Sequence, residues 1–397
     1  MRKWETTKLG EALRLDLDRV PVDAATSYPM VGVLSFGRGL FEREPVEHGK
    51  TSYRQFYRLK AEHVVMSQLF GWEGALALSE KKFAGRFLSP QFPTFLCDTE
   101  KLDRSFLGWL MKRPAFWEDL GSRASGMGDR RRTLTPDALF RCKIPLPPLA
   151  EQRQVVARIE ELAAQIHEAR TLRHQAAEEA EAMLLSQAGI VFSRLADKHE
   201  PREFGSFSPH VTSGPRNWAK HYEQNGARFY RAQDIGPDGE VLGDTKVFIT
   251  PPPGEQGRTA MLQHGDLMLV ITGATVGRAN VYRKGLEPGF VSQHVGICRL
   301  PQTEVEPEFV LWGLRGPTGQ AQLLGQRYGQ GKPGLNLTNI RSLSLPFPPL
   351  AEQRRVVAEL DALQAEVVAL KRLQAETGQE LNALLPAILD RAFKGEL

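Results

Sequence analysis

At 397 residues the chain exceeds the roughly 250 to 300 at which a single core stops growing, so two or more domains are expected. Hydrophobic residues make up 41%, no apolar run approaches the roughly 18 residues of a membrane helix, and the start MRKWETTKLGEALRLDL is too charged for a signal peptide, so a soluble, cytoplasmic protein is expected. The net charge of +4 hides an alternation. Residues 1–143 carry 24 Lys+Arg against 18 Asp+Glu and 201–343 carry 15 against 12, whereas 144–200 (6 against 9) and 344–397 (6 against 8) are acidic. Basic blocks suit a polyanion. The cysteines Cys97, Cys142 and Cys298 lie far apart, without the paired spacing of a zinc site, and read as three separate packed thiols.

Along the first block, SFGRGLFEREP places Arg38 between two glycines, and TSYRQFYRLK offers Tyr53, Arg54, Gln55 and Arg58. RSFLGWLMK around Trp109 reads as a helix, and SGMGDRRRTL supplies Arg130, Arg131 and Arg132. Pro145, Pro147 and Pro148 then force an extended entry, after which helix begins near Leu149. Val155, Ile159, Leu162, Ile166 and Ala169 recur at spacings of 4 and 3, the seam of a coiled coil.

The second block opens with TSGPRNW, which supplies Ser213, Arg216 and Asn217. FYRAQDI at 229–235, KVFIT at 246–250 and DLMLVIT at 266–272 read as strands. Gly273 and Gly277 in TGATVGR mark a tight turn beside Arg278, and EFVLWGLR around Trp312 reads as a helix. Arg327 precedes YGQGKPGLNL with Gln330, Lys332 and Asn336, read as an extended polar loop through LNLTNI. Helix restarts near Leu350 after Pro346, Pro348 and Pro349, with a seam of Val356, Leu360, Leu363, Val367 and Leu370. Gly378 and Pro386 are expected to interrupt it. A helix of 45 residues spans about 70 Å, longer than one small domain needs, so the two seams are expected to pair with each other.

The chain is written twice. PPLAEQR occupies 147–153 and again 348–354, inside stretches that align at an offset of 201. Phe106, Trp109 and Gly74 correspond to Phe309, Trp312 and Gly277, and FLSPQF from Phe87 to FVSQHV from Phe290, at an offset of 203. Ala182, Leu184 and Phe192 meet Ala383, Leu385 and Phe393. This is a tandem duplication rather than a solenoid of short units. The Gly-rich basic loops at 126–132 and 329–336 fall at the same place in both copies, yet the copies differ in nearly every loop. Arg to guanine and Asn or Gln to adenine are the pairings that read base edges, and cations beside glycines approach phosphates closely. On that chemistry the candidate DNA contacts are Arg38, Arg54, Arg58, Arg130, Arg131, Arg132, Ser213, Arg216, Asn217, Arg278, Arg327, Gln330, Lys332 and Asn336. Glu151, Arg153, Glu352 and Arg354, in the first turns of the connector helices, suit a structural role and a partner-binding role equally.

Catalytic signatures are missing from the sequence. It has no NPPY or DPPY, no G-x-x-x-x-G-K-[ST] and no H-E-x-x-H. GQGKPG from Gly329 satisfies G-x-G-x-x-G but lacks the strand-to-helix context of a dinucleotide site.

PLPPLAEQR entering a long helix, present twice, each time after a block of roughly 150 residues with a GDLMLVITGATVGR-type strand and turn, resembles the DNA-specificity subunit of type I restriction-modification systems. The resemblance covers nearly the whole chain. It implies an α+β fold of two mixed target recognition domains, at 1–143 and 201–343, joined by helical conserved regions at 144–200 and 344–397 that form an antiparallel coiled coil. It further implies that each domain reads half of a split, asymmetric sequence in double-stranded DNA and that the helix pair sets the unread gap. The partners would be two methyltransferase (modification) subunits and restriction/translocase subunits. The subunit itself would be non-catalytic and without a cofactor, S-adenosylmethionine, ATP and Mg belonging to those partners. The reading from a different class is a coiled-coil scaffold whose basic blocks bind proteins.

Overall fold

A computed structural model of the chain describes residues 4–23, 25–47, 50–125, 132–238, 240–243, 245–251, 254–329 and 333–397. The chain divides into two compact units, Met1–Arg173 together with Ala375–Leu397, and His174–Gln374. Two long helices, Leu149–Ala196 and Leu350–Ala392, start at the residues where the prolines release the backbone. Each unit therefore holds one basic block, the beginning of one long helix and the end of the other.

The duplication reappears as an inner sheet of identical order. In the first unit the strands run Leu13–Leu15, Thr94–Cys97, Val64–Met66 and Leu76–Leu78, all antiparallel. In the second they run His210–Ser213, Val295–Arg299, Leu267–Val270 and Ala279–Val281, again antiparallel. The matched Gly74 and Gly277 both take positive φ, 83° and 98°. At Gly74 a Cβ would also come within 2.7 Å of the Trp117 ring, so backbone and space both demand glycine there.

The outer sheets differ. The first unit has five strands ordered Arg19–Pro21, Gln55–Arg58, Phe87–Leu88, Tyr28–Leu34 and Gly39–Val46. The second has four, ordered Tyr222–Glu223, Phe248–Ile249, Ala227–Tyr230 and Gly289–Val291. One parallel pairing is common to both, Met30 with Phe87 and Phe229 with Phe290. Upon it the first unit builds a long hairpin whose first strand is largely buried and whose second is exposed, and the second only short strands.

The strands expected at 229–235, 246–250 and 266–272 are shorter than read, at Ala227–Tyr230, Phe248–Ile249 and Leu267–Val270. After Tyr230 the chain turns into a short 3-10 helix because the Asp234 carboxylate accepts the Arg231 backbone N–H at 2.8 Å. The extended loop expected through LNLTNI instead contains a five-residue helix, Leu337–Arg341, capped by Asn336. The helices around Trp109 and Trp312 form as read, at Arg104–Leu110 and Pro307–Arg315.

The repeated PPLAEQR has a specific structural job. The glutamines Gln152 and Gln353 are fully buried. Gln152 donates to the carbonyls of Pro147 (2.7 Å) and Lys101 (2.8 Å) and accepts the Asp103 N–H (2.8 Å). Gln353 donates to Pro348 (2.9 Å) and Glu304 (3.1 Å) and accepts the Glu306 N–H (2.9 Å). Each amide thus staples the first helical turn to the segment leading into the Trp109 or Trp312 helix. The neighbouring charges also have internal partners: Glu151 accepts the Trp4 indole N–H (3.1 Å), Glu352 faces His199 (3.1 Å), and Arg354 pairs with Glu306 (3.0 Å).

Within each unit the long helices pack antiparallel. In the first unit Val155, Val156 and Ile159 share a core with Leu389, Ala392 and Phe393, and in the second Val356 and Leu360 share one with Leu184, Ala188, Val191, Phe192 and Leu195. Arg170 bonds the Leu381 carbonyl and Arg173 bonds Thr377 in the first unit, and Lys371 meets Glu181 at 2.7 Å in the second. Numbers rise along one helix as they fall along the other. Of the expected seam, Ile166 is also buried, while Leu162, Leu363, Val367 and Leu370 are half-buried. The beginning of each seam meets the end of the opposite helix, a set of residues the periodicity did not single out. Phe393 lies against Phe106 at 4.9 Å and its counterpart Phe192 against Phe309 at 4.8 Å, centroid to centroid.

The interruption expected at Gly378 and Pro386 does not occur, since the second helix continues to Ala392. A proline inside a helix costs about 3 kcal/mol, and burial of Leu389, Ala392 and Phe393 offsets that. The three cysteines are free and buried, and burial pushes Cys97 up to about 11 and Cys142 and Cys298 up to about 12. Among the described residues no helix is long and apolar enough to cross a membrane.

Candidate nucleic-acid interface

In the first unit three loops meet at one end of the inner sheet. They are the hairpin tip Ser35–Arg38, the segment Ser67–Gly74 and the base of the basic stretch, where Ser125 and Thr133 exchange backbone hydrogen bonds of 3.0 and 2.8 Å. Phe36 N–H donates to Glu73 (2.9 Å) and Gly37 N–H to Gly74 (3.0 Å), which ties the tip to the middle segment. Leu134 N–H donates to Gln68 (2.8 Å), which ties in the basic loop. Arg38 is exposed, with its Nε on the Ser35 carbonyl (3.0 Å) and its guanidinium 5.8 Å from the Phe36 ring. The Arg132 guanidinium lies 5.4 Å from the Trp72 ring. A cation within about 6 Å of an aromatic ring is attracted to it, which restrains where these two guanidiniums sit.

Two of the sequence candidates, Arg38 and Arg132, are therefore brought together. Arg130 and Arg131 lie outside the described residues. Arg54 and Arg58 sit elsewhere, on either side of the strand segment Gln55–Tyr57; Arg54 is exposed and Arg58 pairs with Asp18 at 3.3 Å.

The second unit repeats the frame with different contents. Tyr328 and Gly334 exchange backbone hydrogen bonds of 3.0 Å, Leu335 N–H donates to Ile271 (2.8 Å), and Gly273 N–H donates to Pro333 (3.0 Å). Gln330 and Lys332 lie outside the described residues. Asn336 is exposed and caps its helix, its Oδ1 accepting the Asn339 N–H at 2.8 Å; Thr135 does the same for Ala138 in the first unit. Ser213 ends a strand, Arg216 is exposed, and Asn217 adopts φ 63° before the turn at Trp218. Arg278 and Arg327 line a cleft of about 340 Å³ with Arg315, Glu181 and Asp238. Arg327 donates through Nη2 to the Val276 carbonyl, so part of its guanidinium braces the turn. The carboxylates in the cleft are unlike. Hydrogen bonding from Lys371 holds Glu181 below the usual range, whereas burial, then the neighbouring Glu181, raises Asp238.

Sequence reasoning missed two kinds of residue. Gln152 and Gln353 were visible only as letters of a repeated motif, and repetition was itself the available signal. The apolar tips Phe36, Leu69 and Phe70, about half exposed, carry none of the cations and amides by which DNA contacts are recognised in a sequence. A comparison of SQLFGWEG with its counterpart VITGATVG, where Thr272 and Gly273 stand opposite Leu69 and Phe70, finds those two. The arrangement offers directed donors, cations and aromatic faces. Among the described residues no group of three or more His, Cys, Asp or Glu is placed to hold a metal.

Residues 245–377 match the family model described as "Type I restriction modification DNA specificity domain". The chain is 23% identical over 278 residues to the type I restriction enzyme EcoBI specificity subunit of Escherichia coli, covering 64% of this chain and 58% of that protein. It is 22% identical over 282 residues to the StySPI specificity subunit of Salmonella potsdam, covering 68% and 61%. The chain thus spans about six-tenths of the length of the curated relatives it matches. Among solved structures, a chain from work on complex assembly and conformational transition of the type I R-M system superposes with TM-score 0.70 at 25% identity, covering 100% of this chain and 98% of that one. The HsdS subunit from Thermoanaerobacter tengcongensis gives TM-score 0.55 at 24% identity, covering 100% and 97%, a likeness of fold.

Proposed function

We propose that this chain, which belongs to the DNA-specificity subunits of type I restriction-modification systems, binds a bipartite, asymmetric sequence in double-stranded DNA. Each basic block, 1–143 and 201–343, reads one half, and the helical regions 144–200 and 344–397 set the gap. The observation that carries this reading is one frame presenting two unlike loop sets: the same inner sheet and the same backbone pairing at the base of the Gly-rich stretch, with Phe36, Arg38, Phe70 and Arg132 at one and Arg278, Arg327 and Tyr328 at the other. Identical readers would select a symmetric target. Unlike readers select one whose halves differ.

The remaining predicted contacts, Arg54, Arg58, Arg130, Arg131, Ser213, Arg216, Asn217, Gln330, Lys332 and Asn336, supply further donors for phosphates and base edges. In this reading the chain performs no chemistry itself and holds no cofactor. Two modification subunits bring the methyl transfer with S-adenosylmethionine, and restriction/translocase subunits bring the ATP- and Mg-dependent steps, all in the cytoplasm. The rival, a protein-binding scaffold, predicts no DNA affinity in the assembled complex. Methylation mapping of the host before and after deletion of the gene should show loss of one split motif. Deletion of four residues near Ala176, about one helical turn of about 6 Å, should shorten its gap. Loss of no motif would refute the assignment, and an unchanged gap would refute the ruler.

A further inference from the structure

The geometry points to Leu69 and Phe70 as an apolar wedge that the first unit inserts at a base step of its half-site, unstacking it. This rests on the DNA-binding reading above and adds a mode of recognition to it. Both side chains stand out from the surface, 45% and 51% exposed, on a loop that cannot fold them away. Ser67, itself buried, accepts the Phe70 N–H on its Oγ (3.2 Å), and its carbonyl accepts the Gly71 N–H (2.7 Å). The Trp72 indole donates to the Leu69 carbonyl (2.8 Å). Gly71 is pinned below, where a Cβ would meet Leu134 at 3.0 Å and Met66 at 3.2 Å. An exposed apolar pair so firmly held has its desolvation left for a partner to complete.

Charge selects the partner. The loop carrying the pair is bonded to the Arg132 loop through Gln68 and Leu134, and through Glu73 and Gly74 to the hairpin bearing Arg38. The block around it holds 24 Lys+Arg against 18 Asp+Glu. Cations beside a rigid apolar tip match a duplex, where phosphates flank stacked bases and apolar wedges part base steps. The second unit supplies the contrast. Thr272 and Gly273 stand where Leu69 and Phe70 do, and the exposed Tyr328 ring nearby lies over Gly334, its Cζ 3.1 Å from where a Cβ there would sit. Only one half-site should be unstacked.

The test uses the full chain assembled with its modification subunits and a duplex carrying the mapped motif. 2-Aminopurine is placed at successive positions of each half, avoiding the methylated adenine. Binding should raise its fluorescence several-fold within one half only. The L69A/F70A chain should lose that rise and bind roughly tenfold more weakly with an unchanged salt slope, since the cations remain. Phe70→Trp should keep the rise, and a melting curve checks that the exposed substitutions leave the fold intact. A rise that survives the double substitution overturns the wedge, and so does tight binding with both halves stacked, as mere thymine-methyl contact would give. Failure of the unsubstituted complex to bind the duplex would instead overturn the DNA reading itself.

Discussion

Gln152 and Gln353 make the same three kinds of hydrogen bond in the two units, whereas Leu69–Phe70 and Thr272–Gly273, at matched places in the same frame, share neither size nor polarity. Buried polar groups tolerate little change because every donor and acceptor must keep its partner. Loop tips, which are solvated whatever they carry, tolerate a great deal. The duplication has therefore kept what holds each block to its helix and altered what each block presents.

The strongest way to break this comparison is at the glutamines. Gln152→Leu and Gln353→Leu each strand two carbonyls and an N–H in a buried site, so each should lower the unfolding free energy of its unit by about 3 kcal/mol. Urea titration followed by tryptophan fluorescence would measure both. Losses that differ by more than about 1 kcal/mol would show that the two frames are not equivalent.

A smaller effect sharpens the comparison at the loops. Arg132→Ala should weaken binding roughly tenfold for duplexes retaining only the first unit's half-site, and Arg216→Ala should do the same for the other half. Competition binding with half-site duplexes reads this directly. Equal loss on both duplexes from either substitution would contradict two independent readers.

The smallest expected effect concerns the acidic pair of the second unit, which has no counterpart among the sequence candidates. Asp238 is raised above its ordinary value of 3.8, chiefly by burial, so the folded state takes up its proton more readily than the unfolded state. Its contribution therefore improves as pH falls from neutral toward the ordinary carboxylate range. Glu181 is lowered, so its contribution, with Lys371, is lost only below its ordinary 4.5. Above pH 4.5 any pH dependence contributed by this pair therefore comes from Asp238. Asp238→Asn should leave Tm at pH 7 equal or slightly higher and remove the part of the Tm change that Asp238 contributes as pH falls toward 4.5. A steeper change in the variant would reverse the assigned sign.

Much of this protein was legible in one dimension. The prolines before Leu149 and Leu350 dictate where helix can start, glycine at 74 and 277 dictates turns with positive φ, and an offset near 200 declares two copies, because these depend on the residue and its immediate neighbours. What tertiary structure alone decided lies between distant segments. Val155 and Ile159 pack against Leu389 and Phe393 because the helices run antiparallel, Pro386 stays helical because Leu389, Ala392 and Phe393 in the turns beyond it are buried, and the outer sheets differ because strand pairing is chosen by contacts far along the chain. Periodicity shows that a face is apolar; only packing determines which face meets it, and which apolar tips, such as Leu69 and Phe70, are left in water.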